Sequence, residues 1–161
     1  MNRSSYDKTM AFALRLLAAK PRSRAELRER LGEKCDDDAV AEVISRLEEL
    51  GYVDDKKFAA SFAAARIATR PLGRLRLRRD LQRRKVSGEV AESAMNEVYG
   101  ETNEETLIEK AIAKRLRTHG EPRTRQDVQR LYAYLIRQGF GYDLVLRKVR
   151  EASIAEDINN D

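Results

Sequence analysis

The sequence predicts an all-α fold, built as a tandem repeat of three three-helix units in an elongated array. Apolar residues recur at the 3.6-residue spacing of amphipathic helices almost throughout, and the two-residue alternation of strands is nearly absent. Strong helix formers dominate the composition, and the 161 residues include only eight glycines and three prolines. The three-helix pattern returns about every 50 residues, which is typical of stacked helical repeats because one small unit buries little apolar surface alone.

Repeat 1, residues 1–53, is predicted to hold three helices separated by short polar breaks. Ser23 and Glu26 stand at the spacing of a capping box and predict the start of the second helix. The acidic residues 36–38 open the third helix, where negative charge suits the positive end of the helix dipole. Gly51 follows the last apolar residues of that helix and is its predicted C-terminal cap.

Repeat 2, residues 54–100, begins with an acidic pair and has a short basic helix at its centre. Asp54 and Asp55 are of the residue type that caps helix N-termini, and we expect both to cap the helix that follows. Leu77 and Leu81 lie about one turn apart and give the central helix its buried side. Three aromatic residues are expected to form the core between repeats 1 and 2, namely Tyr52, Phe58 and Phe62.

Repeat 3, residues 101–155, follows the same order of helices. Thr124 begins a second capping signal. Leu131 and Leu135 repeat the leucine pair of the central helix, which predicts that all three central helices bury the same face. The polar residues 156–161 are predicted to form a frayed tail.

Several functional classes are disfavoured by what the chain contains. One cysteine, Cys35, and one histidine, His119, make no intramolecular disulfide and no structural zinc site. No phosphate-binding loop or triad-like set is present, so we predict neither an enzyme nor a cofactor. Arg15 interrupts the apolar N-terminal stretch, and no run approaches the roughly 18 apolar residues of a membrane span. We therefore predict a soluble, cytoplasmic protein without a membrane partner.

Positive charge is concentrated in repeat 2. Residues 1–53 carry ten basic and ten acidic side chains, and residues 101–161 carry eleven of each. Residues 54–100 carry eleven basic and only six acidic side chains, so the whole net charge of +5 lies there. Such a cluster is typical of a surface that meets phosphates or an acidic protein.

The central helix of repeat 2 is predicted to place basic residues on both flanks of a thin apolar seam made by Leu77 and Leu81. On a helical projection one flank holds Arg74, Arg78 and Lys85, and the other holds Arg76, Arg79 and Arg83. The candidate partner-binding residues are Arg70, Arg74, Arg76, Arg78, Arg79, Arg83, Arg84 and Lys85. A structural pairing of Arg76 with Asp80 is an equally good interpretation, and a merely solvated basic face is the general alternative. Leu75 projects away from the seam as a further candidate contact.

The motifs resemble the RecX regulatory family over nearly the whole chain. The most specific stretch is residues 47–66, "LEELGYVDDKKFAASFAAAR", whose pattern is carried by Gly51, Tyr52, Asp54, Asp55, Phe58, Ala59, Phe62 and Arg66. The segments "SRAEL", "GRLRLRRDL" and "RQGF" are similar to further family signatures. One departure is Lys85, which stands where family members often have glycine, so that any left-handed turn there would have to be made by lysine.

The resemblance implies tandem three-helix repeats and a function that periodicity alone could not supply. RecX proteins bind the RecA recombinase, usually as a filament on single-stranded DNA, and restrain its ATPase, strand exchange and induction of the SOS response. The family brings no enzyme activity and no cofactor. Contact with single- or double-stranded DNA through the basic repeat is left open, and a stand-alone, non-specific nucleic-acid-binding protein is the alternative function.

Overall fold

The computed structural model describes residues 3–159, with side chains described from 3 to 152, and over that range it is all-helical. Its nine helices follow the predicted order, which confirms the all-α class. Repeat 1 contains α1 (Arg3–Ala19), α2 (Arg24–Gly32) and α3 (Asp37–Glu49). Repeat 2 contains α4 (Asp55–Thr69), α5 (Arg74–Arg83) and α6 (Gly88–Glu101). Repeat 3 contains α7 (Glu104–His119), α8 (Arg125–Arg137) and α9 (Tyr142–Asn159).

The chain divides into two compact units whose boundary passes through α4, α5 and α6. The first unit comprises Met1–Phe62 and Leu81–Ala94, and the second comprises Ala63–Asp80 and Met95–Asp161. The repeat boundaries at 53/54 and 100/101 follow helix order along the chain and stay a prediction. Helix α9 continues to Asn159, and residues 160–161 of the predicted tail lie outside the described residues.

The core of the first compact unit is made by α1, α2 and α3. Leu27 and Leu31 of α2 are fully buried, and α3 adds a continuous apolar face that includes Val43, Ile44 and Leu47. Each buried side chain of this size contributes roughly 1.5–3 kcal/mol relative to its exposed state. The leucine spacing of α2 therefore does what the sequence predicts.

The core of the second compact unit is centred on α7, α8 and α9. Leu131 and Leu135 of α8 are buried, and they share a cluster with Ile108 of α7, Phe140 of the α8–α9 connection and Val145 of α9. The leucine pair again faces inward, as predicted from its recurrence.

The predicted helix starts are confirmed at both capping boxes. The Ser23 hydroxyl accepts from the Glu26 N–H at 3.2 Å, and the Glu26 carboxylate accepts from the Ser23 N–H at 3.1 Å. Thr124 and Asp127 make the same reciprocal pair at the start of α8. Because both boxes depend on residues three apart, they are readable from the sequence.

The cap that ends α3 is also as predicted. Gly51 has a φ of 76°, in the left-handed region. The Tyr52 N–H donates to the Leu47 carbonyl at 2.9 Å, and the Gly51 N–H donates to the Glu48 carbonyl at 3.0 Å. This double closure satisfies helix-end carbonyls, and a residue without a Cβ makes it at the least strain.

Two expectations at the start of repeat 2 were wrong. Tyr52 is 63% exposed rather than part of a core, and Val53 beside it is the buried residue. Asp54 caps α4 through the Lys57 N–H at 3.1 Å, as predicted. Asp55 instead accepts the Arg24 N–H at 2.7 Å and so caps α2 rather than its own helix.

Candidate interaction surface on helix α5

Helix α5 presents basic side chains because its two leucines point inward. Leu77 and Leu81 are fully buried, which leaves the other positions of the helix for charged residues. Four predicted site residues are exposed, namely Arg70, Arg79, Arg83 and Lys85. Four are half-buried, namely Arg74, Arg76, Arg78 and Arg84. The two groups make different contacts and are described within their own compact units.

Arg74, in the second compact unit, holds the start of α5 in place. Its Nη2 donates to the Asn96 side chain at 2.6 Å, and its guanidinium lies 5.2 Å from the centre of the Tyr99 ring. Its backbone N–H donates to the Glu104 carboxylate at 3.1 Å. The Tyr99 hydroxyl donates to the Leu72 carbonyl at 2.8 Å, and burial raises the pKa of Tyr99, so this donor stays protonated. Arg74 is therefore committed to internal contacts.

Arg76 and Asp80 approach each other only loosely. Arg76 Nε lies 3.8 Å from the Asp80 carboxylate, while its Nη1 donates to the Arg137 carbonyl at 3.2 Å. Arg66 of α4 is the closer partner of Asp80, with Nη2 and Nε at 2.5 Å and 3.1 Å from the same carboxylate oxygen. Asp80 is buried, so a strong internal partner is what it requires. The structural interpretation of Asp80 holds, and Arg66 carries most of it.

The outer side of α5 in the second compact unit combines charge with an apolar side chain. Arg79 is exposed, and its Nε donates to the Leu75 carbonyl of its own helix at 3.3 Å. Leu75 is 49% exposed, as expected from its position away from the leucine seam. Arg70 is also exposed, immediately before Pro71. An exposed leucine beside arginines suits a protein or nucleic-acid contact better than solvent alone.

Arg84, in the first compact unit, is an internal residue despite its charge. Its Nε donates to Glu26 at 2.6 Å and its Nη2 to the Pro21 carbonyl at 3.1 Å. The guanidinium lies 4.9 Å and 5.2 Å from the ring centres of Phe58 and Phe62. These contacts give Arg84 a structural role in this unit, and the proposal below rests on other basic residues.

The Arg84 contact also sets the ionisation of its partner. Burial by itself would raise the pKa of Glu26, but the hydrogen bond from Arg84 and the Ser23 N–H outweigh that effect and lower the pKa below its usual value. Glu26 thus remains ionised at neutral pH while it serves two roles, as the second half of a capping box and as the acceptor for Arg84. The motif residues Ser23 and Glu26 therefore anchor Arg84 as well as α2.

Lys85 adopts the left-handed conformation that its replacement of glycine implied. Its φ is 57°, the only positive value at a non-glycine residue in the described range. The Lys85 N–H donates to the Gln82 carbonyl at 2.9 Å, and its ammonium pairs with Glu29. A lysine in this region is strained relative to glycine, and the surface pair with Glu29 offsets only part of that strain.

A short motif before each central helix was missed by the sequence interpretation. Proline, any residue, then Ser, Gly or Thr, then Arg occurs at 21–24, 71–74 and 122–125. In the first two copies, the arginine N–H that opens the central helix donates to a carboxylate at the start of a later helix, Asp55 or Glu104. The prolines and arginines are the signal that could have revealed this motif.

The fold and this surface define an all-α protein of tandem three-helix domains. The chain matches three consecutive family descriptions: RecX, first three-helix domain, over residues 10–47; second three-helix domain, over 54–95; and third three-helix domain, over 103–149. The chain belongs to the RecX family.

Relatives agree with this assignment over most of their length. Regulatory protein RecX of Streptomyces coelicolor is 34% identical over 152 residues, covering 93% of this chain and 80% of that protein. Regulatory protein RecX of Thermobifida fusca is 34% identical over 158 residues, covering 97% and 84%. The crystal structure of RecX from Lactobacillus salivarius superposes with a TM-score of 0.82 at 21% identity, covering 95% of this chain and 99% of that one, which supports the fold.

Two further features bear on partners. None of the helices in the described part of the chain is long and apolar enough to cross a membrane. No group of three or more His, Cys, Asp or Glu side chains is placed to hold a metal ion among the residues with described side chains.

Proposed function

We propose that this protein binds RecA, as a filament on single-stranded DNA, and inhibits its ATPase, strand exchange and induction of the SOS response. Membership in a family of regulatory proteins supports regulation as the general role. The observation that carries the specific proposal is the charge of repeat 2, because the whole net charge of +5 lies in residues 54–100. In this proposal the protein is a cytoplasmic interaction protein without catalytic activity of its own.

The contacting residues in this proposal are the exposed basic residues of α5 and its flanks. Arg70 and Arg79, with Leu75 between them, form one group, and Arg83 forms another. Arginine offers a planar set of donors that binds carboxylates and phosphates in pairs of hydrogen bonds. Both kinds of acceptor occur on a protein filament that is assembled on DNA.

A rigid helix start makes such a surface more effective. The Gly73 N–H donates to the Gln138 carbonyl at 3.0 Å, and the Leu75 N–H donates to the Gly139 carbonyl at 3.1 Å. With Arg74 also held internally, the first turn of α5 is fixed before any partner arrives. Less conformational entropy is then lost on binding, which favours affinity.

The alternative function is non-specific nucleic-acid binding without RecA, which the same basic cluster would also support. The two functions are separated by measuring RecA ATPase on single-stranded DNA with increasing amounts of this protein, alongside binding of the protein to the same DNA alone. We expect ATPase to fall at protein concentrations below those that coat the free DNA. ATPase that falls only when the DNA itself is saturated would favour the alternative, and an unchanged ATPase would contradict both the RecA proposal and its mechanism.

A further inference from the structure

A cavity of about 410 Å³ lies in repeat 3, between the end of α7 and the start of α8. Its walls carry three arginines and the single histidine of the chain, namely Arg115, Arg123, Arg130 and His119. The cavity is separate from α5, and no part of the RecA proposal uses it. Its position along the repeat indicates what it could bind.

The same place in repeats 1 and 2 receives a carboxylate. In repeat 1 the Arg24 N–H donates to Asp55 at 2.7 Å. In repeat 2 the Arg74 N–H donates to Glu104 at 3.1 Å. Each carboxylate belongs to the first residue of a helix that opens the following repeat. The preceding cap residue, Ser23 or Gly73, is buried in both cases.

Repeat 3 has the same motif but leaves it exposed. Residues 122–125 read Pro-Arg-Thr-Arg, and the cap residue Thr124 is exposed, unlike its counterparts. The cap also satisfies itself, because the Thr124 hydroxyl donates to Asp127 at 2.8 Å, and this bond lowers the pKa of Asp127. The backbone of α8 is therefore already capped, and the arginine side chains are the groups left to receive an anion.

The arginines are arranged around the cavity from both helices. Arg115 of α7 lies over the Tyr134 ring at 5.2 Å, and its Nη1 is 2.8 Å from His119 Nε2, so its guanidinium is held at the cavity wall. Arg130 of α8 reaches Asp127 at 3.4 Å, and Arg123 is exposed at the rim. Positively charged groups thus face the cavity from α7, the connection and α8.

We propose that this cavity binds an acidic, helix-opening segment of a partner protein, whose carboxylate lies between Arg123 and Arg130. The chain's own inter-repeat contacts supply the chemistry, since both use a carboxylate in the first turn of a helix. A nucleic-acid strand is disfavoured because residues 101–161 carry eleven basic and eleven acidic side chains and so lack the broad positive field of repeat 2.

A second copy of this chain is also disfavoured as the occupant. The first turn of α1, which would open the next repeat in a head-to-tail array, contains no acidic residue. In addition, Thr124 lies seven residues before Leu131, whereas Ser23 and Gly73 lie four before their leucines, so α8 starts about one turn earlier. A fourth repeat could not reproduce the earlier contacts, as is usual for a terminal repeat.

The probe for this site is a fluorescein-labelled peptide of residues 101–113, the acidic segment that opens repeat 3. The control peptide carries Glu104→Gln and Glu105→Gln. The cavity variant is Arg123→Ala with Arg130→Ala, and the matched control variant is Lys114→Ala with Arg117→Ala, two exposed cations outside the cavity wall. Circular dichroism establishes that both variants are folded.

Fluorescence anisotropy should show binding to the wild-type protein and the control variant with equal affinity. The cavity variant and the glutamine peptide should each lose at least tenfold in affinity. Equal binding by the cavity variant, equal binding of the glutamine peptide, or no binding at millimolar concentration would overturn the proposal. Loss of single-strand DNA binding, or of self-association, in the cavity variant without loss of peptide binding would assign the cavity to those occupants instead.

Discussion

Gly73 and Gly139 meet backbone to backbone, at the point where the start of α5 passes the α8–α9 connection. A Cβ on Gly73 would lie 2.3 Å from the Gly139 carbonyl carbon, and a Cβ on Gly139 would lie 2.2 Å from the Arg76 nitrogen. Gly139 also has a φ of 88°. Both residues belong to motifs of the family resemblance, and the structure shows that the two motifs contact each other.

Substitution of Gly73 by Ala should therefore destabilise the protein by about 3 kcal/mol, since backbone atoms must move to admit the methyl group. Gly100→Ala is the matched control, because its Cβ meets nothing within 4 Å and the residue lies in α6. The control should be neutral or slightly stabilising. Urea denaturation checks both, and equal midpoints for the two variants would show that the close approach is not a constraint.

Arg84→Ala should cost roughly 2 kcal/mol, the scale for losing charged hydrogen bonds in a half-buried site. The comparison is Arg30→Ala, whose exposed pair with Glu33 at 2.6 Å should contribute less than about 1 kcal/mol. Both free energies of unfolding are obtained from urea denaturation. If the two variants lost the same small amount, Arg84 would not be a structural residue and would return to the candidate partner surface.

The same contact predicts a pH dependence. The folded-state pKa of Glu26 lies below its usual value of 4.5, so the folded state gains stability above that pH and loses it as the pH falls through the lowered value. Glu26→Gln removes the titrating group, so its stability should depend less on pH in the acid region below 4.5 than that of the wild type. Identical slopes for the two proteins in that region would exclude the contribution.

Much of the fold can be predicted from the sequence because it depends on residues close together in the chain. Both capping boxes, the inward leucine pairs and the left-handed Lys85 fall in this class. Tyr52 could not be placed correctly, because aromatic character favours burial but only packing decides which neighbour is buried, and here it is Val53. The partner of Asp55 is 31 residues away, at Arg24, and no local pattern indicates it.

The candidate site was predictable in composition and only partly in geometry. Charge counting located α5, but it could not separate the exposed Arg79 from Arg84, which contacts Glu26, Phe58 and Phe62. A cation that pairs with a distant acid looks the same in sequence as one that faces solvent.

Lys85→Gly should stabilise the protein by roughly 1 kcal/mol, because glycine adopts a φ of 57° without the strain that lysine has there. The lost surface pair with Glu29 subtracts only a few tenths. Gln82→Gly, at an exposed position within α5, is the control and should destabilise by about 1 kcal/mol. Thermal unfolding distinguishes the two, and destabilisation by both substitutions would show that the left-handed turn is not strained.

The central claim is that exposed arginines on and beside α5 inhibit RecA, and the most direct test compares two triple variants of equal charge. One carries Arg70→Ala, Arg79→Ala and Arg83→Ala. The other carries Arg30→Ala, Arg46→Ala and Arg117→Ala, which are exposed arginines outside α5. Alanine favours helix at the helical positions, so both should fold.

The measurement is the concentration of each variant that halves RecA ATPase activity on single-stranded DNA, repeated over a range of salt concentrations. The α5 variant should need at least tenfold more protein than the wild type, and the control variant should match the wild type. If the lost contacts are to single-strand phosphates, the log–log salt slope of binding should become shallower by about 0.7 per contact. A folded α5 variant that inhibits RecA at the wild-type concentration would contradict the claim.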